Sequence, residues 1–548
     1  MACSAPPPLG PRVSRVGGGG EVGLRMPLVG TWRGWGLVLG IGLGVAVMAG
    51  GSSATRTVIA PVSRLEARHD PPLDQGPTAA DLIEERPHPW LDGPGAEEPP
   101  CGRPRILAVT IPLDLSRRVG VCWPPAEASD PRVRLVNNEP LKPGEEQIAW
   151  TSATNQVIQF YQARVAKAPK DASEYRNLGA AYIQKARETG DVTYYGLAEQ
   201  TLKRALTLRP SGAVATTVTT RLAVVALARH QFPEALAYGE RALSYGTGQL
   251  FPYAVLGDTY LEIGEYEKAA ETYAKMANTA GVAILSTRLA ALQFLRGHVQ
   301  DGIDQAEQGV EALLNDKAPR ENVAWAEFRL GELAFASGDL TKAETAYGNA
   351  LRRYPGYHWA LGGLATVRAA QHRYTEAIPL YQRAIAVIPL PQHASALGDV
   401  YTKLGQTREA AKQYALVEYI GALNAINQEI YNRDLALFYA DHDRKLPRAL
   451  ELAERESVAR HDVYTYDVLA WTLYKNQNPQ AALAAMTEAL RLGTKDARLF
   501  FHAGMIHHAL GQRDQARENL QHALAINRAF HVLQADLAER TLQALAGG

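Results

Sequence analysis

Cysteine is scarce in this chain. Its 548 residues hold three, Cys3, Cys101 and Cys122, with no Cys-x-x-Cys pair and no Cys/His spacing that would hold zinc. An excess of either charge is also missing: 57 Lys and Arg stand against 57 Asp and Glu. That balance argues against a nucleic-acid partner, which selects for a basic face. Gly17–Gly20 precedes no Lys-Ser/Thr, so there is no phosphate-binding loop. No Gly-x-Ser-x-Gly stands ahead of a His. His502 and His508 are spaced at neither i+3 nor i+4, so they make no helical metal pair. Asp441-His442-Asp443 has ligand chemistry, but three consecutive turn residues rarely converge on one ion, and the run reads as a solvated polar turn. These absences point to a protein that is not an enzyme and holds no metal or cofactor.

What is present begins with an N-terminal segment, residues 1–55. Arg12, Arg15, Arg25 and Arg33 face a single Glu21, and an uncharged apolar run then covers 34–51. Met26 is an alternative start. The run is intermediate in length between a signal-peptide core and a membrane helix, so both a cleaved signal and a retained anchor fit. Arginines ahead of such a run stay cytoplasmic, which places the remainder of the chain on the extracytoplasmic side of a membrane. Residues 56–150 are proline-rich, with Pro71-Pro72, Pro87, Pro89, Pro99-Pro100 and Pro124-Pro125, and read as an extended spacer. Within it, Arg105–Ile111 and Val119–Trp123 have strand composition. Cys101 and Cys122 would pin them as a hairpin by a disulfide if exported, and are two free thiols otherwise.

The organising pattern lies further on. Leu256–Met276 reads LGDTYLEIGEYEKAAETYAKM, and Leu397–Val417 reads LGDVYTKLGQTREAAKQYALV. Superposed on Gly257 and Gly398, the two share Leu256/Leu397, Tyr260/Tyr401, Gly264/Gly405, Ala269/Ala410 and Tyr273/Tyr414. Leu, Gly and Tyr at i, i+1 and i+4 share one side of a first helix, the Gly permitting close approach of a neighbour. Gly264 and Gly405 sit where that helix ends. The small Ala marks where a second helix crosses, and the Tyr fills space one turn later. Gly331 with Ala343, Tyr347 and Ala350 repeats the pattern, followed 34 residues on by Ala365 with Ala377, Tyr381 and Ala384. Ala470 with Ala482 leads, again 34 residues on, to Gly504 with Ala516. The first full unit falls around Gly179, with about seven inserted residues near Glu188–Tyr194; another is recognisable around Ala235, a degenerate one around Gly297 and a distorted one around Ala436.

This pattern resembles the tetratricopeptide repeat. The resemblance spans about two thirds of the chain and implies an all-α fold: a right-handed α-solenoid of about ten helix hairpins over 151–530, closed by a capping helix in 531–548. In such a solenoid each repeat is expected to touch only its neighbours. The resemblance also implies a concave groove lined by first-helix residues six and three before the reference Gly/Ala, and one and four after it. These offsets give Trp325, Phe328, Glu332 and Phe335; Trp359; Tyr464, Asp467, Trp471 and Tyr474; and Arg498, Phe501, Met505 and His508. Rigid aromatics of this kind anchor partner segments, or else pack between adjacent first helices. Arg176 and Asn177 are the one pair comparable to a carboxylate clamp, and one pair does not make a clamp.

The function expected is a non-catalytic scaffold that binds protein or peptide segments in its groove, exported or membrane-anchored through its N-terminal segment, and serving envelope-complex assembly. Two alternatives are an accessory subunit of a membrane-bound enzyme and a groove that acts on or binds a glycan or small molecule.

Overall fold

The computed structural model describes residues 145–277, 282–426 and 433–547. The last six residues assigned to the spacer, 145–150, belong to a helix instead; the run at 34–51, the spacer as far as residue 144, and Cys101 with Cys122 lie outside the described residues. Within them no helix is long and apolar enough to cross a membrane.

Every described element is a helix. A leading helix, α1 (Glu145–Lys167), packs on α2 (Ala172–Thr189), which pairs with α3 (Thr193–Thr207). Hairpins then continue in register: α4 (Gly212–Ala228) with α5 (Phe232–Ser244), α6 (Phe251–Glu262) with α7 (Tyr266–Ala274), α8 (Val282–Leu295) with α9 (Val299–Asn315). Next come α10 (Arg320–Ala336) with α11 (Leu340–Arg353), α12 (His358–Ala370) with α13 (Tyr374–Val387), and α14 (Pro391–Lys403) with α15 (Thr407–Ile426). The last three are α16 (Arg433–Asp441) with α17 (Leu446–Ala459), α18 (Val463–Lys475) with α19 (Pro479–Ala489), and α20 (Ala497–Ala509) with α21 (Arg513–Ile526). A final helix, α22 (Gln534–Gly547), lies against α21. Ten hairpins between a leading and a closing helix form an α-solenoid.

The repeat residues explain the hairpin. A Cβ on Gly257 would stand 2.3 Å from the Tyr273 ring, and one on Gly398 would stand 2.3 Å from Tyr414, so glycine is what lets each tyrosine cross the first helix. The tyrosine hydroxyl then donates to the residue after that glycine, Asp258 at 2.9 Å and Asp399 at 2.8 Å. Ala269 and Ala410 are buried at the crossing.

The winding departs from the nearest-neighbour expectation. The turn inside one hairpin meets the loop at the end of the hairpin five further on. Gly190 of the first hairpin packs on Ile388, and Gly264 of the third on His461. Gly297 of the fourth faces Gly493, and Gly338 of the fifth faces Ile526. Hydrogen bonds tie these levels together. His461 N donates to Ile263 O at 2.9 Å, Val463 N to the Tyr266 hydroxyl at 2.9 Å, and Asn527 Nδ2 to Phe335 O at 2.6 Å. The solenoid therefore closes on itself about every six hairpins, and buries polar groups that an open spiral would leave in water. The insert in the first hairpin serves the same contact: it lengthens α2, so that Arg187 reaches Glu321 at 2.8 Å and Glu188 O accepts from the Tyr354 hydroxyl at 3.4 Å.

Candidate functional site

The aromatics assigned to the concave face divide by depth. Trp325, Phe328, Trp471 and Phe501 are buried, with Trp471 only 2% exposed. Phe335, Trp359, Tyr464 and Tyr474 are half-buried, and His508 is exposed. Two stacks result. Phe328 lies 5.8 Å from Trp359, which lies 5.7 Å from His393. Burial pushes His393 down to about 4 and holds His358 well below the ordinary histidine value, which favours neutral rings that pack as aromatics. Along the second stack, Tyr474 lies 4.9 Å from Trp471, which lies 4.1 Å from His502 and 5.7 Å from Phe501. Tyr464 carries the Arg498 guanidinium over its ring. Arg176 and Asn177 hydrogen-bond to each other, which leaves no clamp geometry.

A cavity of about 330 Å³ is lined by α12, α14 and α16, by Tyr381 of α13, by Arg498 of α20 and by residues 529–532. Its polar wall comprises Gln392, Ser395, Asp399, Asp434, Asp441, Arg498 and His531. Asp441 belongs to this wall and His442 is bonded to its Asp399, which corrects their reading as a solvated turn; only Asp443 points to water, where it pairs with Lys475. Asp441 Oδ1 accepts from Trp471 Nε1 at 2.8 Å and from Gln534 Nε2 at 2.7 Å. Asp399 Oδ1 lies 2.7 Å from His442 Nε2, and His442 Nδ1 lies 2.7 Å from Phe438 O. Among the described residues no three His, Cys, Asp or Glu side chains group as metal ligands.

Two of these groups titrate against each other. Burial alone would lower His442, but the hydrogen bond and charge of Asp399 outweigh it and hold the imidazole above its ordinary value. Burial likewise pushes Asp399 up, and the hydrogen bonds from His442 and His531 reverse that, leaving the carboxyl well below the usual carboxylate range. The raised histidine stabilises the fold fully below pH about 6.5 and loses that contribution as pH rises through its folded value. The depressed aspartate contributes above the ordinary carboxylate range and loses its share as pH falls through its folded value. Stability from the pair is thus greatest between pH about 4 and 6.5. His442→Gln should flatten the decline in melting temperature above pH 6.5 while costing about 1 kcal/mol at pH 6. Melting curves across that range check this, with Asp441, His531 and Arg444 as the neighbouring charges left in place.

The offsets that gave the aromatics also locate much of the cavity. Applied to the Gly398 unit they return Gln392, Ser395 and Asp399, and applied to the Ala365 unit they return Thr366 and Ala369, all of which line it. Residues 529–532 fall on no groove offset and are not legible that way.

An α-solenoid of stacked hairpins with an internal cavity is the class that the fold defines. The sequence profile of the tetratricopeptide repeat matches residues 328–394, and a second profile of the same repeat matches 252–276 and 497–530. The chain thus contains tetratricopeptide repeats, whose general role is protein interaction and which are typically non-catalytic. No curated protein matches the chain.

Proposed function

We propose that this protein is a non-catalytic scaffold that holds a segment of a partner protein in its concave channel, on the extracytoplasmic side of a membrane. The observation that carries the reading is the cavity. First helices of several hairpins converge on it, and Tyr381, Phe438 and Phe530 give it aromatic walls. A preformed channel lined by rigid rings loses little conformational freedom on binding. Support for the location is the set of arginines ahead of the uncharged run 34–51. The partner is a protein of an envelope complex under assembly.

In-cell crosslinking and capture, identified by mass spectrometry, compares the full chain with a version lacking residues 1–55. A defined set of envelope proteins captured only by the full chain is the expected result. The same set captured by both would place the repeats in the cytoplasm, and no reproducible protein at all would end the scaffold reading. A paired variant, Trp359→Ala with Tyr474→Ala, should reduce capture at least tenfold while lowering stability by about 1–2 kcal/mol, since both rings are only half-buried. Unchanged capture by that variant would remove these rings from the binding surface.

A further inference from the structure

The channel already contains a stretch of peptide. Between α21 and α22 the backbone is non-helical, and Ala529, Phe530, His531 and Val532 form one wall of the cavity. This strap reaches several hairpins at once. Asn527 donates to Phe335 O on α10, and Phe530 lies 5.4 Å from the Phe501 ring on α20. His531 Nε2 is 3.4 Å from Asp399 Oδ2 on α14. Beyond it, Gln534 donates to Asp441 on α16 and Asp536 pairs with Lys403.

The closing helix is anchored by other means. Ala538 and Leu545 of α22 are buried in one cluster with Met505, Leu520 and Ala523, and Arg513 donates to Leu545 O at 3.0 Å. The cap is therefore held by an apolar core, at whose edge Phe530 also packs; Phe530 and His531 themselves are only half-buried, and His531 Nδ1 accepts from Leu533 N at 3.2 Å and Gln534 N at 3.3 Å within the strap. The surface beneath the strap is acidic, with Asp399, Asp434 and Asp441 against the one cation Arg498 among the cavity residues. The strap presents to that surface an aromatic ring and then an imidazole.

Building on the reading that the channel binds partner segments, we propose that residues 527–533 occupy the partner's seat in cis. The segment that takes their place carries an aromatic residue and then a basic one, the order of Phe530 and His531. The ring fills the space beside Phe501, and the base faces Asp399. Release of the strap opens the seat while α22 stays docked.

The test is fluorescence anisotropy with the full chain and a labelled peptide of the strap's own sequence, residues 526–536. Binding should tighten at least tenfold on going from the wild type to a Phe530→Ala/His531→Ala variant that still melts cooperatively. A peptide with His531→Arg should bind that variant at least as well, and peptides with Phe530→Ala or His531→Glu at least tenfold more weakly. If the double variant does not fold, His531→Glu in the full chain repels the strap from Asp399 with the aromatic retained and gives the same readout. Equal affinity for wild type and folded variant, or undiminished binding of the His531→Glu peptide, overturns the inference. So does a variant that forms dimers by exchanging straps, as read by size-exclusion chromatography. Partner capture that succeeds while these peptide arms fail removes this inference alone; capture that fails for every form removes the scaffold reading itself.

Discussion

Arg460→Ala is expected to lower the unfolding free energy by about 3–5 kcal/mol, the cost of removing one partner from a buried ion network. Arg460 stands just after α17 and is 2% exposed. Its Nη2 donates to Glu262 Oε2 at 2.8 Å and its Nε to Glu262 O at 3.0 Å, both in the hairpin one level away. Glu456 accepts from Nη1 at 3.3 Å, and Asp462 Oδ2 lies 3.3 Å from Nε. Asp462 also caps α18 by accepting from Tyr464 N and Thr465 N, and it pairs with Arg433 at 3.0 Å. Burial lifts Glu262 and Glu456 above the usual carboxylate range even with Arg460 pulling the other way. Without the guanidinium these carboxyls have still more reason to hold protons in the folded state. Their raised values favour the fold at low pH and penalise it as pH rises, so the deficit should be smaller at pH 5 than at pH 8. Arg455→Ala is the control: that side chain is 45% exposed beside Glu451, and its loss should cost less than about 1 kcal/mol. Urea denaturation at both pH values reads the difference. Equal midpoints for the two variants would mean that the contact between levels contributes nothing to stability.

The sequence reveals one hairpin far better than the arrangement of many. Gly257, Ala269 and Tyr273 interact within a few helical turns, and their spacing recurs, so the pattern and the chemistry coincide. The insert after Arg187 is visible as extra length, but its use is not, because its contacts at Glu321, Tyr354 and Ile388 belong to another level. Pitch is set by a small rotation per hairpin accumulated over six. No local signal encodes that sum, and Arg460 reads on its own as one more surface arginine. The channel shows the same division. Asp399 falls on a repeat offset, whereas Phe530 and His531 lie in a loop whose direction depends on where α22 docks. Trp471 and Phe501 do fall on groove offsets, yet the narrow winding buries them. Residue type fixes where a side chain stands on its helix, and the curvature of the whole array decides whether solvent reaches it.

Gly264→Ala and Gly405→Ala separate those two scales. Both glycines end the first helix of a hairpin with positive φ, +86° and +71°. An alanine at either incurs the left-handed penalty of about 1–2 kcal/mol. At Gly405 nothing lies within 4 Å of an added Cβ, so that strain is the whole expected loss. At Gly264 the Cβ would stand 2.4 Å from the His461 carbonyl carbon and 2.6 Å from Asp462 N. These are backbone atoms and cannot rotate away, so the two levels must separate locally. A further 1–3 kcal/mol, roughly the cost of overpacking, is expected there, for a total of about 2–5 kcal/mol. Hydrogen exchange gives a readout that strain alone does not move. The His461 amide, bonded to Ile263 O at 2.9 Å, should exchange faster in Gly264→Ala and remain protected in Gly405→Ala. Equal melting losses with His461 protected in both would mean that the levels lie beside each other without mutual support. Unequal losses with His461 deprotected in the first variant would make the glycine turn a hinge pin of the winding, as well as the end of its own helix.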